Sequence, residues 1–433
     1  MSGAASPTFP ELVRTFTRIG FLSFGGPAGQ IALMSHEIVD ERKWVDQGAF
    51  LRALNLCHLL PGPEAQQLAT WLGWRLHGVK GGLAAGLLFV IPGAAVMLGL
   101  SLVYVMASGL GWFAALFLGI KAAVLGIVVQ ALLRIGQRAL KTRFKLGLAV
   151  LAFLALAVLD APFPLVILLA AVAGALVSKR HPEWLGVHSP PPAAAFQSSR
   201  RQLAGATLVT VLTWLVIWAL PMVLIALTLG QTSVLWDIGA FFSKLAVVTF
   251  GGAYAVLAYM AQQSVEHFGW LSAGEMADGL GLAETTPGPL IMVTQFVGFL
   301  AAWRDPGVLS PLTAGLLGAG LTTWVTFAPC FLWIFACAPW MERLERVPAL
   351  QAALAAITAA VVGVIANLAL WFAVHVLFAR PEAEIFGLPD PTSLDWRAAL
   401  IGAVAALLLF RFGRGIPTVL AASALLGLGL AQL

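Results

Sequence analysis

The chain has 433 residues, of which 60% are hydrophobic and only 10% charged, with a net charge of +5. A soluble domain carries roughly 25% charged residues, so this composition belongs in lipid. It leaves no room for a separate soluble domain, and basic residues confined to loops exclude a nucleic-acid surface. The length allows on the order of ten to thirteen spans of about 20 residues each.

In chain order, an apolar segment at 11–41 is interrupted at Gly25-Gly26-Pro27, and one at 47–77 at Pro61-Gly62-Pro63. Spans follow at 80–108 and 111–136, then a close pair at 144–159 and 162–178. A basic linker, 179–202, contains Pro190-Pro191-Pro192. A further span is expected at 203–229. Broken segments at 237–265 and 273–302 come next, then spans at 309–337 and 348–378, and a closing pair at 396–410 and 415–433. Cys57, Cys330 and Cys337 match no zinc or disulfide spacing and read as buried packing. Met1 to Pro10 lacks the pattern of a cleaved signal peptide.

The order conceals a repeat. Residues 24–63 and 250–289 align without a gap: Phe24-Gly25-Gly26 meets Phe250-Gly251-Gly252, and Pro61-Gly62-Pro63 meets Pro287-Gly288-Pro289. Further on, Pro92 meets Pro329 and Lys121 meets Thr358. The first unit is thus 1–178 and the second 230–433, with the span at 203–229 unpaired. One unmatched crossing inverts the second unit relative to the first. The predicted fold is an all-α polytopic membrane protein, with two inverted-topology repeats whose broken or re-entrant helices meet near the bilayer midplane. Loop charges agree: Arg134 to Lys145, Lys179 to Arg201 and Arg411 to Arg414 fall inside, Asp160 and the acidic loop 382–395 outside. The N-terminus is then cytoplasmic and the C-terminus outside. Whether the broken segments cross or return as hairpins stays open, with hairpins favoured by Arg42 and Lys43.

Pro and Gly breaks free backbone groups that must find partners within the protein or a wet cavity. A half-helix starting after a break presents unpaired N–H groups and a positive dipole end. Four such starts, near Pro27, Pro63, Ala253 and Pro289, form a candidate anion cradle. Arg18 and Lys244, each six residues before a Phe-Gly-Gly, and Lys121 would supply positive charge. Ser23, Phe24, Gln66, Thr249 and Thr286 complete the candidate substrate site. His58, Glu64 and Glu284 are candidates for proton coupling, since a carboxylate beside an anion repels it unless protonated. Bland readings stand beside these. Gly-rich breaks also serve close helix packing, Arg18 can snorkel to the interface, and Lys121 can form a structural ion pair with Glu64 or Glu284. The sequence has no zinc-type spacing, Ser-His pairing or Walker loop, so neither an enzyme, a metal nor a cofactor is expected.

Leu60 to Thr70, following Phe24-Gly25-Gly26-Pro27, resembles the chromate transporter family. The second copy carries the same likeness through Thr249 to Tyr254 and Thr285 to Pro289, so the long two-domain form is indicated. The resemblance implies a prokaryotic inner-membrane protein that expels chromate, with sulfate as the similar anion. Its partners would be that anion and the bilayer. A homodimer stays open, as does an anion channel in place of a carrier. The residue types reach a tetrahedral dianion but do not select chromate over sulfate or molybdate.

Overall fold

The structure is a computed structural model that describes residues 7–24, 26–186, 200–250, 253–344, 346–379, 384–385 and 388–431. Gly25, Gly251 and Gly252 of the two breaks, the linker at 187–199 and residues 380–383 of the acidic loop lie outside the described residues.

Helices α1 (Phe9–Leu22) and α2 (Gly26–Ser35) flank the first break, and α3 (Gln47–Leu59) and α4 (Glu64–Ala107) the second. Helix α4 bends back at His77 and Gly78, leaving legs 64–76 and 79–107. Then come α5 (Gly111–Ala139), α6 (Arg143–Ala157), α7 (Phe163–Val177) and α8 (Arg200–Thr228). The second copy contains α9 (Val234–Val248), α10 (Ala253–Gln262), α11 (Ala273–Thr285), α12 (Val293–Arg304) and α13 (Pro311–Cys337). A short α14 (Met341–Leu344), α15 (Pro348–Leu377), α16 (Trp396–Ala406) and α17 (Ile416–Leu430) complete the chain. A two-residue β ribbon, Glu384–Ile385 with Leu388–Pro389, decorates the loop before α16.

Among the described residues, five helices are long and apolar enough to cross a membrane, α5, α13 and α15 among them. Apart from α4, which is also one of the five, the helices around the breaks are not. The 14 residues of α1 span about 21 Å, short of a hydrocarbon core of about 30 Å. Contacts between legs show that they fold back. Arg18 of α1 pairs with Glu37, in the π-helical continuation of α2, at 3.5 Å. Collinear helices would hold these residues about 28 Å apart. Likewise Arg304, at the end of α12, donates to the Trp270 carbonyl just before α11 at 2.8 Å. Gly73 lies against the Gly81 carbonyl, where the two legs of α4 touch backbone to backbone.

The hairpins of the two copies open at opposite ends of the leg 79–107. At its start, His77 Nε2 meets the Pro7 carbonyl at 2.7 Å, just before α1. Near its far end, Tyr104 reaches Asp278 in the second turn of α11. Local geometry repeats as well. A π-helical turn follows both α2 and α10, at His36–Glu41 and Gln263–His267. Both turns close through a tryptophan amide: Trp44 N–H donates to Ile38 O at 2.9 Å and Trp270 N–H to Ser264 O at 2.8 Å.

The closing pairs are exchanged between the copies. Helices α6 and α7 pack on α15, where Gly363 meets Ala149 and Gly174 meets Ala352. Helices α16 and α17 pack on α5, where Gly119 meets Ser423 and Gly427 meets Ala115. A side chain at any of these glycines would overlap facing backbone, so close approach sets the residue type. The unpaired α8 lies antiparallel on α13: Trp218 Nε1 donates to Val325 O and Trp324 Nε1 to Ile217 O, both at 3.1 Å.

Candidate functional site

Each Pro-Gly-Pro break is held by the other copy. Gly62 N–H donates to the Thr249 carbonyl at 2.8 Å, and Gly288 N–H donates to the Ser23 carbonyl at 2.8 Å. Ser23 and Thr249 end α1 and α9, and their hydroxyls turn back onto Ile19 O and Leu245 O, each at 2.6 Å. Their carbonyls are left free to receive the partner break. Gly62 and Gly288 have φ of +121° and +92°, a conformation L side chains rarely adopt. They are also confined. A Cβ on Gly62 would lie 2.9 Å from Cys330 Sγ, and one on Gly288 would lie 3.3 Å from Gly93 Cα. Gly93 and Cys330 follow the paired prolines Pro92 and Pro329, so the support is reciprocal too.

Four helix starts surround this junction: Gly26, Glu64 after Pro63, Ala253, and a 3₁₀ turn at Leu290 after Pro289. Each adds first-turn N–H groups that have no partner within the helix. The buried Gln30, Gln66 and Gln67 line the same region. Gln30 Nε2 donates to Gly288 O at 2.6 Å, Gln67 Nε2 to Pro61 O at 2.7 Å and Gln66 Nε2 to Thr70 Oγ1 at 3.1 Å. Their three amide oxygens accept no hydrogen bond among the described residues. Hydrogen-bonding capacity is therefore left at the junction for water or a ligand.

The sequence-derived candidates divide into two groups. Brought together at the junction are Ser23, Pro61, Gly62, Pro63, Gln66, Thr249, Pro287, Gly288 and Pro289. Thr286, which donates to Ala283 O at 3.0 Å, is buried beside them. Gly26 (φ +71°) and Pro27 open α2, and Phe24 is 43% exposed.

The three cations have their contacts elsewhere. Arg18 pairs with Glu37, which is 3% exposed and is also bound by Arg42. Lys244 lies over the Tyr259 ring at 5.8 Å and lines a cavity with Asp160 and Glu266. Lys121 pairs with Asp278 at 3.6 Å, and not with Glu64 or Glu284. The reason is packing: α11 lies along α5, which sets Asp278 beside Lys121. Glu64 instead meets His58 at 3.1 Å, where α4 begins, and Glu284 is buried near the end of α11.

Sequence reasoning missed Gln30, Gly93, Tyr104 and Asp278. Gln30 has Val256 as its repeat counterpart, so the repeat gave no signal for it. Asp278 did carry one. It is a buried acid in the middle of α11, opposite Arg52 in the first copy.

Spanning helices, hairpins that stop short and a polar junction of helix ends define a polytopic α-helical membrane protein with paired breaks at its centre. Residues 10–175 and 236–428 match the chromate transporter family, and the chain belongs to that family. The stretch between the two matched blocks holds the linker and α8. Among relatives, it is 29% identical to a chromate transport protein of Cupriavidus metallidurans, over 98% of this chain and 94% of that one. It is 32% identical to a chromate transport protein of Pseudomonas aeruginosa, over 83% of this chain and 79% of that one. A probable chromate transport protein of Synechococcus elongatus is 28% identical over 94% and 91%. No solved structure matches the chain.

Proposed function

We propose that this protein is a secondary transporter that exports chromate across the cytoplasmic membrane of a prokaryote. The observation that carries the reading is the reciprocal junction, in which Gly62 is held by Thr249 and Gly288 by Ser23. Hairpins opening at opposite ends of the 79–107 leg support an inverted arrangement of the two repeats, with the junction near the bilayer midplane. An oxyanion there is cradled by helix N-termini, which bind negative charge without a charged side chain. Arg18, Lys244 and Lys121 act farther out, drawing the anion toward the breaks. Separation of one pair of breaks opens the site to one side and separation of the other opens it to the opposite side. The relatives named for chromate transport support the choice of anion. An inside-negative potential favours outward movement of a dianion, at about 2.3 kcal/mol per charge per 100 mV.

The test is labelled-chromate flux in proteoliposomes, with sulfate or chromate on the opposite side, beside Arg18→Gln and Lys244→Gln. A carrier saturates and is stimulated from the trans side, and folded variants lose flux in proportion to the attraction removed. Flux that never saturates makes the protein a channel. A wild type that moves sulfate and leaves chromate behind reassigns the substrate.

A further inference from the structure

A cavity of about 510 Å³ lies beside α11, away from the junction. It is lined by Lys121 of α5, Ser272 to Gly274 at the start of α11, His375 of α15 and Asp395. Lys121 Nζ sits 3.4 Å from where a Gly274 Cβ would be, at the positive end of the α11 dipole. A cation is disfavoured there unless an anion compensates it. Asp278 does so at 3.6 Å through Oδ1, while its Oδ2 accepts the Tyr104 hydroxyl at 2.7 Å. Asp278 is 5% exposed, whereas the Lys121 side chain is 25% exposed. Oδ1 accepts no hydrogen bond among the described residues, so the ion pair is not closed by one.

One cation therefore serves a buried carboxylate and an open cavity. A dianion entering the cavity meets Lys121 and the α11 N-terminus together. If it takes Lys121, Asp278 is left buried without its counter-charge, and a carboxylate in that position binds a proton instead. Tyr104 suits both forms, donating to a carboxylate and accepting from a carboxylic acid. The remaining charged groups around the pair are Glu275, held by Arg304, together with His375 and Asp395. The repeat-related pair of positions has no such device, because Arg52 stands at the position equivalent to Asp278 and Thr358 at that of Lys121.

We propose that this cavity is an oxyanion docking site controlled by Asp278. Its carboxyl takes up a solvent proton as Lys121 turns to the anion, and recaptures Lys121 when the proton leaves. The proposal rests on the anion-transport reading and adds to it a site at one end of the protein.

Equilibrium binding of inorganic sulfate to the detergent-purified full chain tests it. Sulfate stays fully ionised between about pH 5.5 and 8, so any pH dependence belongs to the protein. Wild-type affinity should fall by up to about tenfold per pH unit on the alkaline side, the slope of one linked proton. Asp278→Asn, which is isosteric and keeps a partner for Tyr104, should bind tightly with that slope gone. Lys121→Gln should lose affinity at every pH, and His375→Gln should keep the wild-type slope. An unchanged slope in Asp278→Asn, or wild-type binding in Lys121→Gln, overturns the proposal. The Asp278→Asn arm decides the matter even where Lys121→Gln does not fold. A wild type that binds no oxyanion at any pH would instead bring down the anion-transport reading.

Discussion

Gly93→Ala puts the junction under direct strain. Gly93 lies in the long leg of α4, against the second break. A Cβ there would overlap the Pro287 carbonyl oxygen and sit 3.3 Å from both the Pro287 carbonyl carbon and Gly288 Cα. The atoms in the way are backbone, so the break itself must withdraw. Two hydrogen bonds stand on its position: Gly288 N–H to Ser23 O at 2.8 Å and Gln30 Nε2 to Gly288 O at 2.6 Å. A withdrawal of about 1 Å takes both beyond hydrogen-bonding reach. Overpacking costs about 1–3 kcal/mol, and a buried backbone group left unpaired adds about 1–3 kcal/mol. The closed junction should therefore lose about 2–6 kcal/mol, against the roughly 1.4 kcal/mol that changes an equilibrium tenfold.

Gly99→Ala is the control, in the same helix with nothing within 4 Å of the added carbon. It should be neutral or stabilise by about 0.5–1 kcal/mol. The assay is thermal unfolding followed by tryptophan emission, paired with chromate flux in proteoliposomes. The account expects a lower melting temperature and at least about a tenfold loss of flux in Gly93→Ala, with neither in Gly99→Ala. Wild-type melting and flux in Gly93→Ala would refute the reasoning, as would equal damage from the control.

Three further expectations can be checked by thermal unfolding. Lys43 has φ of +53° in the turn where its repeat counterpart Gly269 has +62°, so Lys43→Gly should stabilise by about 1 kcal/mol; a lower melting temperature would count against it. Glu37 is buried between Arg42 and the 58%-exposed Arg18, so Arg42→Gln should destabilise by about 3–5 kcal/mol and Arg18→Gln by no more than about 1 kcal/mol. Equal losses would show that the two arginines share the carboxylate evenly. Asp46 caps α3 by accepting the Ala49 amide at 2.9 Å, a bond that holds its carboxyl below the usual range. Its stabilisation is thus present above the ordinary carboxyl range, about pH 4, and fades as pH falls through the depressed value, so wild type and Asp46→Ala should converge only in acid.

The features written in local chemistry were legible in the sequence. The breaks follow from Pro and Gly in apolar runs, and helix ends at Leu59, Thr285 and Leu377 fall within a residue or two of the predicted limits. The repeat also revealed which breaks correspond. What it could not reveal was that each break leans on the opposite copy, because that depends on how the hairpins are laid across one another. The exchange of α6–α7 with α16–α17 was hidden for the same reason: glycines such as Gly119 and Gly363 record a close approach and not its partner. The cations were seen but given no partners or the wrong ones. Lys121 and Asp278 are distant in sequence and meet only through the packing of α5 on α11. The reversal from Arg52 to Asp278 between the copies was the available clue.

The central claim is that the two junction contacts must part for an anion to pass. A disulfide across one of them, with Ser23→Cys and Pro289→Cys (φ −62°, open to any residue) in a chain whose Cys57, Cys330 and Cys337 are replaced, tests this most directly. The account predicts that oxidation stops chromate flux in proteoliposomes and that reduction restores it. Full flux through the oxidised, cross-linked protein would contradict it.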